Sequence, residues 1–222
     1  MKTSCLLLCL ALALTVSVRA EPASVIARVN AAIGILRVKQ SSATPIPQQI
    51  LADAKGVAII SVSQGGFIFG GRHGEGIVVT RTRGALGPSW SAPLAFSLSG
   101  GSFGAQIGYQ TLHYVFVLNS DAAVRTFLSG GEMQWNAAAQ GTAGPDHAGA
   151  DTDPAARAAV YIYTQSDGVY GGATIGGTTL RTDNDINRVA YGDTPLADLV
   201  AGQGVRPREA AKLYELLNGQ TE

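Results

Sequence analysis

Apolar and polar positions alternate in short runs along most of this chain, and the period changes near its two ends. Residues 57–62 and 77–82 are β-branched runs, and 90–96, 103–109 and 113–118 continue the pattern with glycine or proline between them. Period-2 alternation with Gly/Pro punctuation predicts antiparallel strands joined by tight turns. Residues 159–164 and 170–175 predict a hairpin across Gln165-Ser166-Asp167-Gly168, with shorter strands at 133–139 and 178–181. Gly71-Arg72-His73-Gly74-Glu75-Gly76 predicts a polar turn between strands.

Over residues 23–40 the period becomes helical. Val25, Ile26, Val29, Ile33 and Leu36 fall on one stripe about 100° wide. Arg28 and Lys39 flank one side of the stripe, Arg37 the other. Such a helix either packs on the sheet or lies on a membrane with its cations reaching phosphates. Five aliphatic side chains at about 1.5–3 kcal/mol each outweigh three cations at about 1 kcal/mol each, so lipid contact by this helix would be mainly insertion. Pro47 opens a short helix over 48–55, stopped at Gly56. Asn119 or Ser120 caps a helix over 121–128 that ends at Gly130. Pro195 and Pro207 open helices within 194–218, stopped at Gly202 and Gly219, with Leu213, Leu216 and Leu217 on the last apolar face.

The fold class expected is α+β: a single domain with a strongly bent, even barrel-like, antiparallel sheet and N-terminal and C-terminal helices packed on it. Residues 1–20 predict a signal peptide. Lys2 supplies the positive end, 6–14 the apolar stretch, and Val18-Arg19-Ala20 the small-residue cleavage pattern. The domain proper is then 21–222, with its β-rich core at about 54–192. The chain is expected to be exported, periplasmic or secreted. Cys5 and Cys9 both lie in the leader, so the mature chain would have no disulfide.

Charge narrows the partners. The precursor has 16 basic and 16 acidic residues, and losing Lys2 and Arg19 leaves 14 against 16. No basic excess supports nucleic acid. Thiol chemistry is excluded from a cysteine-free chain. His73, His113 and His147 stand far apart, with no His-x-x-x-His pair. Asp146, His147, Asp151 and Asp153 share a loop but lack the rest of a calcium loop. No enzyme, cofactor or metal site is expected. The one phosphate-like feature is the glycine-rich loop with Arg72, where backbone N–H groups could cradle an anion.

Certain blocks carry a resemblance. Ala54-Lys55-Gly56, Gly66-Phe67, Phe69-Gly70-Gly71-Arg72, Gly74, Gly76 and Arg81 come first. Trp90-Ser91-Ala92-Pro93, Gly100-Gly101, Gly104 and Gln106-Ile107-Gly108 follow, then Gly144-Pro145, Gly168-Val169-Tyr170-Gly171-Gly172 and Asn187 through Tyr191-Gly192. In order and spacing, over about residues 23–217, they resemble the SYLF domain, a lipid-binding module of bacterial envelope proteins and of eukaryotic actin-patch and phosphoinositide-binding proteins. Gln64 stands where that family often has lysine, Gly176-Gly177 where it tends to Glu-Gly, and His113 where an acidic residue is common.

The resemblance implies an exported, non-catalytic protein that binds phospholipid or phosphoinositide as a peripheral membrane protein, with anionic phospholipid as partner. Val25, Arg28, Val29, Ile33, Leu36, Arg37, Lys39 and Arg72 are the candidate lipid-binding residues. Actin, bound by some eukaryotic members, is not expected to meet an exported chain. The alternatives are a structural or protein-interaction module of the cell envelope and a carrier of an apolar ligand.

Overall fold

The computed structural model describes residues 24–84, 87–133 and 160–220. Helix α1 (Val25–Gln40) and α2 (Gln48–Asp53) precede strand β1 (Gly56–Gly84), β2 (Gly87–Trp90) and β3 (Leu94–Leu118). Helix α3 (Asp121–Ser129), β4 (Gly131–Met133) and β5 (Val160–Thr182) follow. The chain then forms α4 (Asn184–Tyr191), α5 (Leu196–Val200), a 3-10 turn (Arg208–Ala210) and α6 (Ala211–Leu217). The sheet is antiparallel in the order β2-β1-β3-β5-β4. It is one α+β domain as the pattern predicted, and the sheet stays open rather than closing into a barrel.

The strands are far longer than the sequence suggests. Extended straight, β1 with its 29 residues would reach about 95 Å. Instead β1 doubles back, and β3 and β5 follow it around the bend. The two arms of β1 lie side by side: Arg81 N donates to Lys55 O at 2.7 Å. A Cβ on Gly76 would meet Ile59 O at 2.3 Å, and one on Gly66 would meet Gly70 Cα at 2.5 Å. At the bend β1 spends one residue, Ile68, between Phe67 and Phe69, while β3 spends three between Phe103 and Ile107 to cover the same turn. The outer strand takes the longer path.

Away from the bend both faces of the sheet are buried, which is why those runs are continuously apolar. Val57, Ile59, Ile77, Val79, Val115 and Val117 face α1 and α6, meeting Val29, Leu36, Leu213 and Leu217. The alternate residues Ala58, Ile60, Val78, Leu94, Phe96 and Phe116 face α3 and α5, where Val124, Phe127 and Leu199 cover them. Phe96, Phe116 and Phe127 rings sit 5.0–5.8 Å apart in edge and tilted contacts.

Polar side chains pin the helices to this slab. Arg81 donates to Leu51 O at 2.8 Å and Ala52 O at 3.2 Å, satisfying carbonyls at the end of α2. Its guanidinium lies 3.7 Å from the Trp90 ring centre, and partial burial lowers its pKa. Asn187 clasps the backbone of Ala95 with both amide atoms, at 2.8 and 3.0 Å. Tyr214 donates to Ser91 O at 2.9 Å, and Tyr191 donates to Pro93 O. Burial raises both phenols, Tyr214 to about 12. Several blocks of the SYLF resemblance (Arg81, Trp90 to Pro93, Asn187, Tyr191) therefore build the fold.

Several expectations are corrected. The polar turn at 71–76 is not a turn; it runs through β1, paired with Gly101 to Phe96 of β3. The hairpin at 159–175 is one strand, β5. The strand read at 90–96 is interrupted between β2 and β3, where Ser91 and Pro93 carbonyls receive the tyrosines. Helix α4 was not read as a helix. Ser120 and Gly130 cap α3 as predicted. Of the 133–139 strand only Met133 is described, as the last residue of β4, and the leader and the 141–154 loop lie outside the described residues.

Candidate functional site

Helix α1 carries seven of the eight residues expected to meet lipid, and the structure docks it on the sheet. Val25, Val29, Ile33 and Leu36 are buried in the cluster that α1 shares with β1, β3 and α6. Ser24 caps the helix by accepting from Ala27 N at 3.1 Å. The buried face is turned from the predicted stripe: Arg28 and Lys39 are inside it and Ile26 is outside. Arg28, 6% exposed, pairs with Asp183, donates to Phe96 O at 2.7 Å and lies 3.4 Å from Glu75. Lys39 Nζ donates to Thr44 at 3.4 Å and sits 5.7 Å from the Tyr163 ring centre. Of the α1 cations only Arg37 is exposed.

Arg72, the eighth, sits half-buried in β1 and donates to Thr178 Oγ1 at 3.3 Å. It lies on a different element from α1, and no contact joins it to Arg37 among the described residues. Because residues 71–76 are strand, successive N–H groups point to opposite sides and do not converge on an anion. The phosphate-cradle reading of this loop loses its geometry.

The apolar cluster exposed at the bend of the sheet is the feature that sequence reasoning missed. Phe67 is 68% exposed, Phe69 72% and Ile107 64%, and Ile68, Phe103 and Tyr109 are exposed beside them. Six of the ten large apolar side chains exposed among the described residues are gathered there. Phe69 and Phe103 touch across β1 and β3, ring centres 5.0 Å apart. Ile68 has φ 65°, a left-handed conformation rare for a β-branched residue. Its carbonyl accepts from the Gln106 amide at 2.9 Å, and Ser102 donates to Gln106 Oε1 at 2.9 Å. The Tyr109 hydroxyl bonds the Ser63 and Thr111 side chains, which lowers its pKa. One sequence signal existed: Phe67-Ile68-Phe69 is three apolar residues between glycine pairs, which no single strand face can bury.

Among the described residues the histidines stand in separate pairs with carboxylates. His73 is exposed beside Glu75 at 3.7 Å, and His113 Nε2 lies 3.5 Å from Asp167. Among the described residues no three His, Cys, Asp or Glu side chains stand where they could hold a metal. No helix among them is long and apolar enough to cross a membrane.

Against known families, residues 99–220 match Ysc84, described as "Las17-binding protein actin regulator". The chain belongs to the Ysc84 family. Four-fifths of β3, all of β5 and the C-terminal helices fall within the match. Among similar proteins, SH3 domain-containing YSC84-like protein 1 of Xenopus laevis is 36% identical over 181 residues, 80% of this chain and 53% of that protein. LAS seventeen-binding protein 3 of Saccharomyces cerevisiae is 33% identical over 180 residues, 79% of this chain and 39% of its own. The human YSC84-like protein 1 is 36% identical over 180 residues, 80% of this chain and 52% of its own. This chain thus spans about half the length of these relatives or less. No solved structure matches. Ysc84-family membership bears out the SYLF resemblance.

Proposed function

We propose that this Ysc84-family protein is an exported, non-catalytic domain that binds a lipid surface peripherally. The observation that carries the reading is the bend, where aromatic and aliphatic side chains cluster in water on an otherwise well-buried domain. Apolar patches on monomers mark interaction sites. Residues Val25, Val29, Ile33 and Leu36 would join only if α1 left the sheet, so they belong to a second, undocked state. Arg37 and Arg72 can reach anionic head groups from the docked state.

The test is flotation of the purified chain with vesicles mixing phosphatidylcholine and phosphatidylglycerol. The expected result is flotation; a chain left at the bottom of the gradient overturns the lipid reading. Export rests on residues 1–20, and N-terminal sequencing of protein recovered from a bacterial periplasm should start at Glu21. Retention of Met1 in the cytoplasm overturns export.

A protein partner is the second reading, favoured by the family description of Las17 binding and actin regulation. An aromatic patch also fits a protein. Co-sedimentation with filamentous actin, together with failure to float, would favour it, and would also count against an exported chain having no use for actin.

A further inference from the structure

We propose that the sheet bend is a tip that inserts into an electrically neutral lipid surface while α1 stays docked. The inference rests on the lipid reading above and names the surface that reading leaves open.

Charge is the first ground. On the three strands that turn together, residues 56–71, 98–112 and 168–180 contain no Asp, Glu, Lys, Arg or His. The charges next to the tip, Arg72 with His73 on one side and His113 with Asp167 on the other, begin beyond those segments. Nothing at the apex itself attracts an anionic head group.

The order of side chains is the second. Phe67, Ile68, Phe69, Phe103 and Ile107 form the apex. Tyr109 stands behind them, opposite Gly65 of β1 and farther from the turn than the Phe67–Ile107 pair. Phenyl and alkyl groups ahead of a phenol is the order in which a hydrocarbon–water boundary sorts side chains.

Backbone is the third. Polar groups entering hydrocarbon must already have partners. The sharp turn at Ile68 would leave its carbonyl bare, and the Gln106 amide fills that need. The amide is itself held by Ser102, to whose carbonyl it also donates at 3.3 Å. Gln106 is buried where its neighbours Phe103 and Ile107 are exposed. Glycine would relieve the backbone at position 68, and Gly66 and Gly70 flank it. The chain nonetheless carries isoleucine in the strained position, presenting one more apolar group outward. A small-molecule site would be concave, whereas these side chains project.

The test uses the purified chain with phosphatidylcholine vesicles and with vesicles in which part of that lipid is replaced by phosphatidylglycerol. Salt is varied from roughly 0.05 to 0.5 M, which collapses exposed charge attraction. Flotation with neutral vesicles, changed less than about twofold by anionic lipid or salt, is expected. The double variant Phe69→Ser with Phe103→Ser should lose about tenfold or more with unchanged circular dichroism. The double variant Arg125→Gln with Arg188→Gln, two exposed cations on α3 and α4, should float like the parent. Flotation that needs phosphatidylglycerol and fails in salt, or that survives loss of both phenylalanines, overturns this inference and leaves the lipid reading standing. No flotation with any vesicle removes the lipid reading itself. A parent that sediments as a dimer, converted to monomer by the phenylalanine variant, assigns the tip to a second copy and also overturns the inference.

Discussion

Asp183→Ala is expected to destabilise the domain by about 3–5 kcal/mol, the range for breaking one side of a buried ion pair. Asp183 stands between β5 and α4, and its carboxylate meets Arg28 from α1 and accepts from the Ser97 hydroxyl of β3 at 2.8 Å. Without it, the buried guanidinium keeps only Phe96 O and the half-exposed Glu75 at 3.4 Å. Arg28 Nε already lacks a partner. For about 200 residues that loss lowers Tm by roughly 6–20 °C, readable by thermal circular dichroism. The paired change Arg28→Met with Asp183→Asn should be milder than Asp183→Ala, because no charge is left stranded. A single variant within about 1 kcal/mol of the parent would mean that the pair behaves as a surface bridge and does not hold α1 down.

Gly76→Val is expected to abolish the fold or cost more than about 3 kcal/mol. A Cβ at Gly76 meets Ile59 O at 2.3 Å and Ile60 Cβ at 2.8 Å, and the first is backbone. Neither arm of β1 can yield without unzipping from β3. Gly71→Ala is the control: nothing lies within 4 Å of a Cβ there, so stability should move by less than about 0.5 kcal/mol. Urea titration of the three proteins decides it. Equal midpoints for Gly76→Val and the parent would show that the arms of β1 are not in contact.

These two sites show where the sequence could be read and where it could not. Caps and stops were legible because they are local: Ser120 and Gly130 frame α3, and Gly202 and Gly219 end helices with φ of 87° and 75°. The glycines of β1 were not. Glycine serves either a positive φ or the absence of a Cβ, and a sequence does not say which. Gly66, Gly70, Gly74 and Gly76 have no positive φ. At Gly66 and Gly76 the missing Cβ lets one arm of β1 lie on the other, and that need exists only once the strand has folded back. Read as turns, the glycine clusters divided three long strands into many short ones.

The docking face of α1 was ambiguous for a related reason. Its outer face carries Ile26, Ala31, Gly34 and Val38, so hydrophobicity alone hardly separates inside from outside. Asp183, 155 positions from Arg28, settles the rotation by giving the arginine a partner in the core.

By itself the sequence determined the α+β class, the antiparallel pairing, the caps and stops of α3, α5 and α6, and the absence of charge along the segments that turn together. Only the tertiary structure decided that the oily stripe of α1 faces inward and that Phe67, Phe69, Phe103 and Ile107 face water. The difference is one of range. Periodicity and capping act over a few residues, whereas burial is a property of surfaces that meet, and these surfaces come from positions scores of residues apart.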